Sequence, residues 1–75
     1  MHEQALKGKW REIQGRIRTW WGNLTDDDVA KIDGKLETLL GLLQQRYGYT
    51  RERAEQEVEK HLREFEAMPS GEMRS

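Results

Sequence analysis

The sequence predicts an all-α domain of four short helices that pair as two helical hairpins. Three observations favour this fold class. Apolar residues recur at spacings of three and four along most of the chain, which is the period of an amphipathic helix. No segment alternates apolar and polar residues as a half-buried strand does. Residues 8–22 and 34–48 repeat each other at an offset of 26 positions, with glycine at every seventh residue, which indicates one helical unit used twice.

The first helix is predicted to run from about Ala5 to Trp21. Gly22 follows in the position that a left-handed C-terminal cap favours, so the helix should end there. The apolar residues of this segment step by three and four and should face the core: Leu6, Trp10, Ile13, Ile17, one of the pair Trp20 and Trp21, and Leu24.

A Thr-Asp-Asp-Asp run at residues 25–28 is the strongest boundary signal in the chain. The threonine hydroxyl can accept a hydrogen bond from a free amide of the first turn, and acidic residues there complement the helix dipole. This predicts a short second helix from about Asp26 to Asp33, with Val29 and Ile32 facing inward.

Two further helices follow the break at Gly34. The third helix is predicted to end at Tyr47, with Gly48 in the same capping role as Gly22. The fourth is predicted to run from Arg51 to about Met68, where Pro69 closes it. Because the linkers are only a few residues long, consecutive helices should be spatial neighbours, which favours two packed hairpins. The prediction is therefore one domain over residues 1–68 and a flexible tail over residues 69–75.

Composition excludes several classes of protein. The 75-residue chain has no cysteine, so it has neither a disulfide framework nor thiolate metal ligands. No apolar run has the length of a signal-peptide core or a membrane span, so we expect a cytoplasmic protein with no membrane partner. The net charge of −1 gives no overall field that would attract nucleic acid.

Charge is nevertheless uneven, because residues 1–24 carry five Lys or Arg against two acids. Gly8 and Gly15 fall opposite the core stripe, between two rows of cations, where phosphates could approach the backbone. The alternative is an ordinary solvated helix face, which we favour because the second repeat lacks the cations. The candidate binding surface consists of Lys7, Lys9, Arg11, Gly15, Arg16, Arg18 and Trp20.

Glycine inside a helix costs about 0.8–1 kcal/mol relative to alanine, so Gly15 and Gly41 need an explanation. Another helix of the domain could cross there, the cost could simply be tolerated, or a partner could dock. The tryptophans raise a similar question. Trp10 and one of Trp20 and Trp21 should pack in the core, and the other could lie at the rim as a contact residue for a base.

Catalysis finds little support in the sequence. His2 and His61 are the only histidines, and no serine precedes residue 70. The acidic run lacks the alternating ligand spacing of a calcium loop, so we expect helix N-terminal electrostatics instead of a metal site. We therefore predict a protein that is not an enzyme and has no cofactor.

Several motifs together resemble the CsbD-like family of small bacterial general-stress proteins. The most specific are the Gly-Lys-Trp at residues 8–10, the Trp-Gly-x-Leu-Thr-Asp-Asp-Asp at 21–28 and the Gln-x-Arg-Tyr-Gly-Tyr at 44–49. The resemblance covers roughly residues 5–66. It implies stress-linked expression and a four-helix fold like that of sterile-alpha-motif domains, with two orthogonal hairpins. It implies no catalytic or ligand-binding residues.

The leading hypothesis is a small soluble stress-response protein with a non-enzymatic binding or protective role. One alternative is a weak, non-specific nucleic-acid-binding module that uses the basic face of the first helix. Another is a protein–protein interaction module. A monomer is expected, and the sequence does not identify the partner.

Overall fold

Five α-helices form residues 3–67, the part of the chain that the computed structural model describes. They are α1 (Glu3–Gly8), α2 (Trp10–Trp20), α3 (Asp26–Ile32), α4 (Leu36–Tyr47) and α5 (Arg51–Ala67). These residues contain no strand, so the predicted all-α class is confirmed. The orthogonal, sterile-alpha-motif-like arrangement of hairpins stays a prediction. The predicted helix end at Met68, the stop at Pro69 and the tail 69–75 lie outside the described residues.

The predicted count of four helices is wrong because the first helix divides at Lys9, whose φ of −115° and ψ of 22° leave the helical region. The Lys9 amide still donates to the Ala5 carbonyl at 3.1 Å, and its own carbonyl accepts from the Ile13 amide at 2.9 Å. Only one residue departs from the helix, so the apolar period continues across the break. This explains why periodicity did not reveal it.

Gly34 packs against this junction. A Cβ at Gly34 would lie 3.5 Å from the Lys7 Cα and 3.6 Å from the Trp10 Cβ. Gly34 also has a φ of +78°, a conformation that glycine adopts readily and other residues rarely adopt. The turn between α3 and α4 therefore lies directly on the α1–α2 junction.

All five helices contribute to one hydrophobic core. Most of the residues predicted to line it from the first two predicted helices are buried there, including Val29 and Ile32 of the short α3. Of the tryptophan pair, Trp21 is the buried one, while Trp10 and Trp20 are half-buried against the core. The buried apolar residues are Leu6, Ile13, Ile17, Trp21, Leu24, Val29, Ile32, Leu36, Leu39, Leu40, Leu42, Leu43, Ala54, Val58 and Leu62.

The helix ends partly follow the prediction. Gly48 has a φ of 72° and caps α4 in the left-handed region, and its amide donates to the Gln44 carbonyl. The prediction of the same role for Gly22 is wrong. The C-cap of α2 is Trp21, whose backbone is extended. A turn follows, in which the Leu24 amide donates to the Trp21 carbonyl at 3.1 Å.

Candidate functional site

The predicted binding residues lie on α1, on α2 and at the junction between them. We call the set Lys7, Lys9, Arg11, Gly15, Arg16 and Arg18 the outer face, and each of these residues is exposed. On α2, Arg11, Gly15 and Arg18 lie on the side away from Ile13 and Ile17, which are fully buried. The helical period places Arg16 at the border of this side, between the solvent and the core.

The glycines of this surface face open space. A Cβ built at Gly8 or at Gly15 would meet no atom within 4 Å, and the same holds at Gly41 on α4. No helix of the described chain crosses at these positions. The structure therefore removes one of the three explanations for the mid-helix glycines, and leaves a tolerated cost or a surface for a partner.

The cations of the outer face differ in whether they are paired within the fold. Arg18 is engaged, with its Nη1 2.9 Å from Asp26 Oδ1 and its Nε donating to the Leu24 carbonyl at 3.2 Å. Lys7 and Arg11 form no ion pair with any other residue of the described chain. Their charges remain available to an external anion.

Lys9 and Arg16 lie over the ring of Phe65, which α5 presents to α2. The Lys9 Nζ is 5.9 Å and the Arg16 Cζ is 5.4 Å from the ring centroid. Such cation–π contacts contribute about 0.5–1 kcal/mol at exposed sites. These two cations therefore help to hold α5 against α2 in addition to facing solvent.

Trp20, the seventh predicted residue, belongs to an aromatic cluster instead of standing free. Its ring is stacked on His61, with centroids 5.1 Å apart and planes 15° apart. Phe65 and Trp21 make edge-on contacts with it at 6.2 and 5.7 Å. Because His61 occupies one face of the indole, Trp20 is a poorer platform for a stacked base than the sequence suggested.

The acidic run contains a residue whose role sequence reasoning missed. Asp28 is 1% exposed, and its Oδ2 and Oδ1 accept hydrogen bonds from Arg46 Nε at 3.1 Å and Nη2 at 2.9 Å. It also accepts from the Thr25 amide at 3.0 Å, while its own amide donates to the Thr25 hydroxyl. The predicted threonine cap is thereby confirmed as a reciprocal capping box.

This arrangement explains the electrostatics of the buried carboxylate. The hydrogen bonds from Arg46, followed by the one from the Thr25 backbone, hold the pKa of Asp28 below its usual range, against the opposing effect of burial. The hydrogen bonds to the Asp28 carboxylate in turn raise the pKa of Arg46. The capping-box spacing was a local signal for Asp28, but nothing local links it to Arg46, 18 residues further along the chain.

The two tyrosines of the Gln-x-Arg-Tyr-Gly-Tyr motif make structural contacts as well. Tyr47 and Tyr49 stack with ring centroids 5.1 Å apart, and the Arg53 guanidinium lies 4.7 Å above the Tyr49 ring. The Tyr47 hydroxyl accepts a hydrogen bond from the Asn23 amide at 3.1 Å, which ties the end of α4 to the loop after α2. Arg46 and the tyrosines thus connect the Gln-x-Arg-Tyr-Gly-Tyr motif to the Leu-Thr-Asp-Asp-Asp motif.

A surface ion-pair group joins the starts of α4 and α5. Arg51 donates to both carboxylate oxygens of Glu37, at 3.0 and 2.6 Å, and also to Glu55 at 3.1 Å. These bonds lower the pKa of Glu37 and raise the pKa of Arg51. Since the side chains are largely exposed, the group contributes modestly to stability.

Within residues 3–67, no group of three or more His, Cys, Asp or Glu side chains is placed to hold a metal ion. None of the helices in that part of the chain has both the length and the apolar character needed to cross a membrane.

A family model described as CsbD-like matches residues 4–56. The chain belongs to the CsbD-like family. The resemblance based on the three motifs is confirmed, and with it the association of the family with the bacterial stress response. The structure shows that the same motifs of this CsbD-like chain carry the Asp28–Arg46 pair and the tyrosine stack.

Curated relatives agree with this assignment. A UPF0337 protein of Pseudomonas aeruginosa is 53% identical over 58 residues, which covers 77% of this chain and 89% of the relative. The UPF0337 protein YjbJ of Escherichia coli is 43% identical over 58 residues, covering 77% and 84% of the two chains. A UPF0337 protein of Bordetella pertussis is also 43% identical, covering 77% and 88%. No solved structure matches the chain.

The family match ends at residue 56, after about the first third of α5. His61 and Phe65 lie beyond residue 56, and their rings contact Trp20 and the cations over Phe65. The aromatic cluster between α2 and α5 therefore combines a family segment with a C-terminal segment outside the family model.

Proposed function

We propose that this CsbD-like protein acts in the bacterial stress response by binding a partner through the outer face, without catalysis. The observation that carries the proposal is the open space at Gly15. An exposed glycine in the middle of α2 costs about 0.8–1 kcal/mol relative to alanine, and no packing inside the described fold offsets that cost. A surface kept free of side chains allows a partner to approach the helix backbone closely.

Selective line broadening in cell extracts tests this proposal. Isotope-labelled protein is added to a lysate of stressed bacteria, and amide signals are compared with those in buffer. We expect signals of residues 7–18 to weaken more than those of the rest of the chain. Gly15→Trp should abolish that selectivity, because its ring would fill the open space without disturbing the core.

Gly41→Trp is the matched control, since Gly41 is the equivalent position of the second repeat and is equally open. It should leave the broadening of residues 7–18 unchanged. Uniform broadening of all helices, or equal effects of the two tryptophan variants, would contradict a role for the outer face.

A second candidate function, weak nucleic-acid binding, is favoured by the free charges of Lys7 and Arg11. Lys and Arg that pair with DNA phosphates release counterions, so affinity falls steeply as salt rises. In an amide NMR titration with short duplex and single-stranded DNA at low salt, shifts should be confined to residues 7–18 and reversed by added salt. The double variant Lys7→Gln and Arg11→Gln should weaken them.

The control for this candidate is Lys31→Gln with Lys60→Gln, which removes two exposed cations elsewhere. Equal weakening by both double variants would indicate attraction by overall charge and would count against a defined surface. If DNA causes no shifts, sedimentation at high protein concentration tests the remaining alternative, self-association, and a strictly monomeric species rejects it. The predicted cytoplasmic location stays a prediction.

A further inference from the structure

His61 of α5 packs into the end of α2 between two indole rings. It stacks on Trp20 with centroids 5.1 Å apart and meets Trp21 edge-on at 5.0 Å, with the planes at 81°. The imidazole side chain is only 17% exposed. Phe65, one turn later on α5, makes an edge-on contact with the same Trp20 ring. His61 is thus a central element of the contact between α2 and α5.

The charged groups around this imidazole come from α5. Glu57 Oε1 lies 3.9 Å from Nε2 and Glu64 Oε1 lies 3.9 Å from Nδ1, both beyond hydrogen-bond distance, while Lys60 opposes a positive charge on the ring. The second carboxylate oxygen of Glu57 already accepts from Arg53 at 3.3 Å. Neither carboxylate is therefore positioned to solvate a charged imidazole directly.

The groups that α2 presents to His61 are the two uncharged indoles. Lys9 at the N-cap of α2 and Arg16 within α2 are the cations nearest to this cluster in the described contacts, and both lie over the Phe65 ring one turn away. The Nδ1 atom of His61 is buried and makes no hydrogen bond within the described chain. The surroundings thus suit a neutral ring that packs on aromatic faces better than a charged ring that needs hydrogen-bond partners.

We propose that His61 is a pH-sensitive contact between α2 and α5, which holds the two helices together when neutral and loosens them when protonated. Protonation places a charge in a site without direct hydrogen-bond acceptors, next to Lys60. The segment of α5 that carries His61 and Phe65 then separates more easily from Trp20 and Trp21. The outcome of mild acidification is greater exposure of this aromatic cluster.

The electrostatic environment supports the direction of this effect. Burial, the largest influence, lowers the pKa of His61, and the nearby carboxylates only partly counteract it. Because the pKa is lower in the folded than in the unfolded state, the unfolded chain binds more protons as pH falls through the histidine range. The stabilising contribution is present above the unfolded pKa of about 6.5 and is lost as pH falls through the folded pKa.

A pH titration of the His2→Gln variant tests the proposal, because it leaves His61 as the only histidine in the chain. The Cε1–H resonance reports its protonation, and the indole Nε1–H resonances of Trp20 and Trp21 report the packing. We expect all three to shift with one midpoint, below the value of about 6.5 for an unperturbed histidine. The unfolding equilibrium constant should increase between about pH 7.5 and about pH 5.5.

The control is the same background with His61→Gln, in which the unfolding constant should be insensitive to pH over that interval. In the histidine-containing variant, the constant should rise by up to about tenfold for each pH unit that separates the folded midpoint from the unfolded one. A midpoint at or above that of free histidine would overturn the proposal. So would indole resonances that do not follow the imidazole, even if His61→Gln proved unstable.

Discussion

Replacing Asp28 by asparagine is the sharpest test of how the two family motifs hold the fold together. The substitution preserves side-chain shape but removes the charge and one acceptor oxygen. In the native structure both carboxylate oxygens are used, since Arg46 donates to each and the Thr25 amide donates to one. An asparagine amide can accept at only one atom, and its NH₂ group would face a donor.

The expected loss follows from these bonds. A hydrogen bond to a charged group contributes about 1.5–3 kcal/mol, whereas the cap that the Thr25 hydroxyl supplies to α3 is unchanged by the substitution. The Arg46 side chain is 41% exposed and regains water when its partner is changed, so the lower half of the range applies. We expect the free energy of unfolding to fall by about 2 kcal/mol, from a total of about 4–11 kcal/mol for a chain of this length.

Thermal and urea unfolding followed by circular dichroism measure this loss. A decrease of about 2 kcal/mol corresponds to a fall in Tm of about 8–16 °C for a small domain. The control is Asp27→Asn, which removes the same charge from the same first turn of α3 at an exposed position. It should cost no more than about 0.3–1 kcal/mol through the helix dipole. Equal melting temperatures for the two variants would refute the argument that the Asp28–Arg46 pair joins α3 to α4.

Three further outcomes can be measured with the same melts. The pKa of Asp28 is lower in the folded than in the unfolded chain, so the stabilising effect of its carboxylate should be present above about pH 3.9 and lost as pH falls through the folded pKa. The Asp28→Asn variant should lack this acid sensitivity. Gly15→Ala should raise the free energy of unfolding by about 0.8–1 kcal/mol, since the new methyl group meets open space, and a destabilised variant would contradict the open geometry. Gly34→Ala should lower it by about 1–2 kcal/mol because φ is +78°, and an unchanged Tm would show that the turn can relax.

The parts of the fold that sequence predicted well depend on local rules. The cap at Thr25, the start of α3 and the left-handed end of α4 at Gly48 each follow from the chemistry of one to four neighbouring residues. The buried stripe through Ile13 and Ile17 follows from helical period alone. Among the tryptophans, the same period required one of Trp20 and Trp21 to be buried but did not decide which.

The parts that sequence did not predict depend on tertiary contact. The break at Lys9 coincides with the packing of Gly34 on the junction of α1 and α2, which no local pattern encodes. The partner of Asp28 lies on another helix, so the acidic run looked like dipole electrostatics alone. For the candidate site, the exposure of the outer face was predictable, whereas the coverage of Trp20 by His61 required the approach of α5 to α2.

The glycine repeat distinguishes structural from surface positions once the two copies are compared. Gly34 has positive φ and packs on the α1–α2 junction, while its counterpart Gly8 is open. Gly48 caps a helix in the left-handed region, while its counterpart Gly22 does not have positive φ. In each of these two pairs, the copy with positive φ requires glycine for a structural reason, and its counterpart does not.

The remaining pair, Gly15 and Gly41, has no such requirement in either copy, because both lie inside helices and both face open space. Each of the two glycines therefore destabilises its helix relative to alanine, and no packing in the described fold offsets that loss. A tolerated cost and a requirement at the surface both remain as explanations of the pair, and alanine variants distinguish them. If Gly15→Ala and Gly41→Ala both stabilise the protein and neither alters binding in extracts of stressed cells, that requirement does not exist.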